Sequence, residues 1–217
     1  MIDILFVTDG PRDHVTIPPL IGRILGVTVR VNTTPWARLH RQSGVRGYRR
    51  KLRFAILQAR DANALGILAT VDRDVHPRRT KLKELLQARD EDRQENPPFP
   101  VALGEAEPHG EAWLLDDPVA VCRGLGLDPQ IKIPNVRNTK SPKQEIEALR
   151  KQSGREEDIL VILADIASHV DPSRYQHAKE TGFHGLEREV RHELGPVSAG
   201  CGKECRCGDA CGPGRNS

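Results

Sequence analysis

The chain has 217 residues and a formal charge of +3, with 29% charged and only 4% aromatic residues, so its core has to be aliphatic and its net charge alone does not argue for a polyanionic partner. No apolar run reaches the length of a membrane span, and Met1-Ile2-Asp3 lacks the basic start and long apolar stretch of a signal peptide, which predicts a cytoplasmic protein with no membrane partner. Of the five cysteines, four lie between positions 201 and 211 and Cys122 stands alone, which is no pattern for a disulfide-stapled secreted domain.

In chain order, Ile2 to Val7 is an apolar run that reads as a buried strand and ends in Thr8-Asp9-Gly10-Pro11-Arg12-Asp13. A helix through Ile17 to Leu25 and a strand from Val27 to Val31 complete a βαβ-like unit. Turn and N-cap chemistry accounts for Asp13, which stands at a plausible helix start, but is the weaker account of Asp9. From His14 to Arg60 there is no Asp or Glu at all. Within that window Arg38, Arg41, Arg46, Arg49, Arg50, Lys51 and Arg53, with Trp36, His40 and Tyr48 interleaved, suit phosphate contacts, because guanidinium forks match phosphate oxygens and aromatic faces stack on bases. The competing account is a solvated helix face.

A helix from about Tyr48 to Ala64 leads into Gly66-Ile67-Leu68-Ala69-Thr70-Val71, a second buried strand, which runs straight into Asp72-Arg73-Asp74. Two aspartates two residues apart put two carboxylates on one side of an extended segment, at the end of a strand where α/β sheets form their clefts. Carboxylates in that position hold hard divalent cations, so Asp72 and Asp74 are candidate ligands of Mg²⁺ or Mn²⁺; the bland alternative is helix capping. An amphipathic helix from Lys81 to Arg89 runs out into the polar stretch Asp90 to Asn96. Val101 to Leu103 is a short strand followed by the acid-rich Gly104 to Glu111. Glu111-Ala112-Trp113-Leu114-Leu115-Asp116 reads as a helix start with Trp113 and Leu114 turned to the core. Asp116, beside Pro118, reads as readily as a surface residue.

Beyond Val121 the pattern is helical. Leu127 to Lys140 is irregular, Pro142 opens a helix through Arg150, Glu156 to Val170 has helical spacing, and two shorter helices end near Leu194. His169, His177, His184 and His192 fall on separate elements and read as surface residues. The organisation expected is an α/β core over residues 1–125, a small helical subdomain over 126–195, and a flexible Cys-rich tail over 196–217. In that tail Cys201, Cys205, Cys207 and Cys211 suit tetrahedral Zn²⁺, against a soft-metal clamp, redox chemistry or an unstructured tail.

Asp9-Gly10, then Asp72-Arg73-Asp74 after an apolar strand, then Glu111-Ala112-Trp113-Leu114-Leu115-Asp116 resemble, in that order, an uncharacterised family of bacterial proteins related to the TOPRIM domain and to the nucleases that overcome lysogenization defects. Such proteins carry Glu-Gly at the end of the first strand, Asp-x-Asp at a later one, and a segment like Glu-Ala-Trp-Leu-Leu-Ala-Asp. The likeness covers Ile2 to Val121 and continues weakly at Thr181-Gly182-Phe183. It implies a TOPRIM-like, mainly parallel sheet flanked by helices and a Mg²⁺-dependent nuclease or related phosphodiester-transfer enzyme, acting on DNA or RNA in defence against foreign nucleic acid. The glutamate to which TOPRIM enzymes assign general acid or base work is here Asp9, shorter by a methylene. On this resemblance Asp9, Asp72, Asp74 and Glu111 form the catalytic set, with Glu111 a ligand of a second metal or an outer partner. The alternative is a nucleic-acid-binding or scaffolding protein that keeps the fold and the basic surface without catalysis.

Overall fold

The computed structural model describes residues 2–44, 46–73 and 80–204. Strands β1 (Ile2–Thr8), β2 (Val29–Pro35), β3 (Gly66–Asp72) and β4 (Val101–Ala106) form one fully parallel sheet in the order β2-β1-β3-β4. The α/β class with a parallel sheet flanked by helices is therefore the one read from the sequence.

Side-chain alternation along the strands builds two cores. Ile2, Ile4, Phe6, Leu68 and Ala102 face helix α1 (Pro11–Leu25), joined there by α5 (Glu111–Leu115), α6 (Pro118–Leu125), α7 (Pro142–Ser153), α8 (Ile159–His169) and α9 (Phe183–Glu193). Leu5, Val7, Ile67, Ala69, Val71, Val101 and Leu103 face the other way, onto α2 (Trp36–Ser43), α3 (Tyr48–Asp61) and α4 (Thr80–Glu95). The chain closes with α10 (Gly195–Glu204). One continuous apolar cluster thus runs from Ile2 to Leu194, so the helices after Val121 share the core of the sheet. No helix among the described residues is long and apolar enough to cross a membrane.

Because α1 returns β1 to one side and α4 carries β3 to the other, on opposite faces, the chain reverses direction across the sheet between β1 and β3. In open α/β sheets a ligand crevice forms outside the carboxyl ends of the strands at that switch. Asp9 and Asp72 stand at those two ends.

Several boundaries differ from those read in the sequence. Helix α1 begins at Pro11 rather than Ile17: proline is well placed at the first helical position, and Gly10 precedes it in extended backbone. Strand β2 is shifted to Val29–Pro35, and its polar Asn32, Thr33 and Thr34 are compatible with an edge strand covered on one face only. Helix α4 continues to Glu95 because the charged residues after Arg89 pair with α3: Arg49 with Glu91, Arg53 with Glu91 and Glu95, and Arg60 with Asp92 at 2.8 Å.

Two close approaches fix the packing. A Cβ on Gly124 in α6 would lie 2.5 Å from Ile166 Cα in α8, so the two helices cross backbone to backbone. A Cβ on Gly182 would lie 2.1 Å from the Glu105 carbonyl oxygen, and Gly182 adopts φ +81°, a region that side-chain-bearing residues rarely occupy.

Candidate active site

Three of the four strands lead into an acid of the site: Asp9 after β1, Asp72 at the end of β3, and Glu111 at the start of the helix that follows β4. Asp9 follows β1, and its Oδ2 accepts a hydrogen bond of 2.8 Å from the backbone N–H of Asp72. Asp72 closes β3, and its carboxylate is held on several sides. Gly110 N–H donates to Oδ1 at 3.2 Å, while His109 Nδ1 lies 3.1 Å and Lys143 Nζ 3.5 Å from Oδ2. Lys81, on α4, donates to the Asp72 carbonyl at 3.1 Å. Glu111, at the start of α5 after β4, is buried and accepts from Arg12 at 3.2 Å; the same guanidinium donates to Glu147 of α7 at 3.1 Å.

Asp13 belongs to this group and not to a cap. Helix α1 places it in the first turn, where its Oδ2 accepts from the Thr8 hydroxyl and no side-chain cap forms at Gly10. Its Oδ1 presses on Gly110, at 2.9 Å from where a Cβ there would sit, so Gly110 is wedged between Asp13 and Asp72. Burial, reinforced by the charges of Asp72, Glu111 and Asp9 and opposed by the Thr8 hydrogen bond, pushes its carboxyl up to about 7. The reading of Asp13 as a capping residue is corrected accordingly. His14, next in the helix, has its imidazole pushed below the usual range by burial, and its Nε2 is buried without a hydrogen-bond partner among the described residues.

A carboxyl raised in the fold is favoured there in its protonated form. Its contribution to stability is full below about pH 4, the ordinary range of an unfolded Asp, and is lost as pH rises through about 7. The difference is on the order of 4 kcal/mol. Asp13→Asn, which cannot ionise, is therefore expected to flatten the pH dependence of unfolding between pH 5 and 8 and to be the more stable protein at pH 8. Urea denaturation at the two pH values measures it; equal pH dependence of parent and variant would refute the burial of a titrating carboxyl here.

The other acids and cysteines read from the sequence fall elsewhere. Asp74 lies outside the described residues, as do Cys205, Cys207 and Cys211, while Cys201 falls in α10. Asp116 is not a surface residue: it is buried and accepts from the backbone N–H of His177 and Gln176, tying the loop before α9 to α5. Its neighbour Asp117, fully buried, caps α6 through Ala120 N–H and is clamped by Arg174. His169, His184 and His192 are exposed, whereas His109, inside the acid-rich segment but not singled out in it, is the imidazole at the site.

The basic segment is divided by its neighbours. Arg49 and Arg53 are neutralised by Glu91 and Glu95 of α4, and Glu84 accepts from the N–H groups of Tyr48 and Arg49 at the start of α3. Arg38, Arg41, Arg46 and Arg50 are exposed and have no acidic partner among the described residues. Lys51 and Lys81 lie over the Tyr48 ring, 5.2 and 5.6 Å from its centre. Since Lys81 also reaches Asp72, the basic surface borders the carboxylate edge.

Among the described residues no three Asp, Glu, His or Cys side chains already stand in a metal-coordinating arrangement. No protein-family model, curated protein or solved structure matches this chain.

Proposed function

We propose that the chain is a divalent-metal-dependent nuclease or related phosphodiester-transfer enzyme on a TOPRIM-like core, with defence against foreign nucleic acid as the setting its resemblance suggests. The observation that carries this reading is that Asp9 and Asp72 meet at the switch point of the sheet and that the charges of Asp9, Asp72 and Glu111 all act on the buried Asp13.

The donor set suits a hard cation. All its first-choice ligands are carboxylate oxygens, and while burial is the main reason the Asp13 carboxyl is raised, the repulsion that Asp72, Glu111 and Asp9 add to it is what a bound cation would relieve. Asp72, Asp13 and Asp9 would hold Mg²⁺ or Mn²⁺, together with Asp74, and Glu111 would stand behind them, already fixed by Arg12. The ion would supply charge for the phosphoryl oxygens and an acidified water. Lys143 and Lys81 flank Asp72 and are placed to bind phosphate oxygens on either side of it. His109 orients the Asp72 carboxylate and can carry a proton to or from a reacting oxygen at that edge.

One contact favours a second reading. The Lys143 ammonium, 3.5 Å from Asp72, already supplies part of the charge that a cation would bring, as expected of a nucleic-acid-binding protein without turnover. Incubation of the full chain with single- and double-stranded DNA and RNA in Mg²⁺ or Mn²⁺ separates the two. Cation-dependent cleavage supports the enzyme, and binding without cleavage under all these conditions supports the second reading.

On either reading the unpaired arginines contact phosphate. Arg50→Gln is expected to weaken nucleic-acid binding uniformly across sequences and to reduce the dependence of log affinity on log salt by about one unit. Arg49→Gln, whose charge is already matched by Glu91, is expected to do less. Equal effects, or binding indifferent to salt, would remove the basic surface from the proposal.

A further inference from the structure

Helix α3 packs over β1 and β3 but stops short of the edge strand, so the face of β2 opposite α1 is left open as a groove of about 590 Å³. Its walls carry Arg38, Asn32, Thr34, Gln58 and Asn63. None of these five side chains has a hydrogen-bond or ion-pair partner among the described residues. Most other arginines near this face are paired: Arg30 with Asp3 at 2.5 Å, Arg49 and Arg53 with α4, Arg60 with Asp92. Asp3 is the one acid lining the groove, and Arg30 neutralises it. Its apolar lining is small: the buried Ala59, the half-buried Ala64 and the exposed Ala62, beside the nearly buried Leu5.

We propose that this groove binds the phosphate and base of a single nucleotide. The guanidinium of Arg38 has the fork that matches a phosphate, and the absence of acids from His14 to Arg60 leaves the groove without a rival anion other than Asp3. The amides of Asn32, Gln58 and Asn63 offer both donors and acceptors, the requirement for recognising a base edge. The small side chains of Ala59, Ala62 and Ala64 leave room for a flat ring beside the end of α3. The volume lies in the range of small-molecule sites, although the lining is more polar than most. A free nucleotide and the end of a nucleic-acid strand present the same chemistry to these residues. The site is independent of the catalytic reading, since it lies on the open face of β2 and includes none of the carboxylates at the sheet edge.

The test is calorimetric titration of the full chain in EDTA, which silences metal-dependent cleavage, with inorganic phosphate, AMP, GMP, CMP, UMP and a 5′-phosphorylated pentanucleotide. At least one mononucleotide should bind more tightly than phosphate. Arg38→Gln should weaken it by at least about tenfold, the loss expected for a charged hydrogen bond, and Ala62→Leu, which narrows the groove from an exposed position, should weaken it as well. Asp72→Asn should leave it unchanged. A pentanucleotide that binds more tightly than any mononucleotide identifies the occupant as a strand; equal affinity identifies a free nucleotide. No binding up to millimolar concentration, binding no tighter than phosphate, or binding that folded Arg38→Gln and Ala62→Leu proteins retain in full would overturn the proposal. Loss in Asp72→Asn alone would overturn it too, by moving the nucleotide to the carboxylate edge.

Discussion

Asp72→Asn is expected to lower metal-dependent turnover of nucleic acid by at least about 100-fold while leaving the protein folded. Removal of one preorganised charged group from a reacting centre typically has an effect of that size. The amide keeps the size of the carboxylate and an oxygen for the Gly110 N–H, and β3 is held by its backbone pairing with β1 and β4, so the sheet does not depend on the charge. What is lost is the anion facing Lys143 and His109 and the proposed hold on the cation. The change should raise the Mn²⁺ concentration needed for half-maximal turnover, a readout that mere misfolding would not give. Asp9→Glu, which lengthens the carboxylate by a methylene, should keep or raise turnover if Asp9 does the proposed acid or base work. Turnover equal to the parent in Asp72→Asn would sink the enzyme reading.

Gly182→Ala is expected to destabilise the fold by about 3 kcal/mol or more, in the range of the largest single-site effects. At φ +81° a side chain is strained, and its Cβ would collide with a backbone oxygen, Glu105 O at 2.1 Å, which cannot swing aside as a side chain could. The residue before it explains why the consequences reach the site. The Thr181 carbonyl accepts both the Trp113 indole N–H, at 2.8 Å, and the Glu107 backbone N–H, at 3.0 Å. Displacing this turn therefore loosens the stretch from Glu107 to Trp113, which contains His109, Gly110 and Glu111. Chemical denaturation should show the loss of stability, and any remaining folded protein should have lower activity. A variant as stable as the parent would mean that the turn can yield at little cost.

The strands legible in the sequence are those buried on both faces. Ile2–Thr8 and Gly66–Asp72 are nearly continuous apolar runs, because each packs against both cores, and of Val101–Ala106 only Val101 to Leu103 was legible, since Gly104 and Glu105 break the apolar pattern. Strand β2 was misplaced because half its length is polar, which an edge position permits and a local pattern does not reveal. The acids at the strand ends stood out by recurrence. Asp13 did not, since its burial depends on Gly110, nearly a hundred residues away, and a first-turn aspartate has a common local explanation. Lys143 and His109 were hidden for the same reason: only the folded chain brings them to Asp72. The basic segment was legible as composition, but which of its arginines are neutralised depends on Glu91 and Glu95, on a helix that follows β3.

The shared core has a consequence for how the protein comes into being on the ribosome. The face of the sheet made by Ile2, Ile4 and Phe6 is sealed by residues as late as Leu186, Val190 and Leu194, and Leu194 lies so close to Gly66 that a Cβ there would meet its side chain at 2.7 Å. Synthesis is vectorial, so the first strand leaves the exit tunnel long before its cover exists, and its apolar face has to wait in solvent or in the care of a chaperone. Asp9 and Asp72 likewise emerge well before Lys143. An unfinished chain therefore holds the acids without the lysine that partners them, and the completed site first exists only after α7, which carries Lys143, has been made.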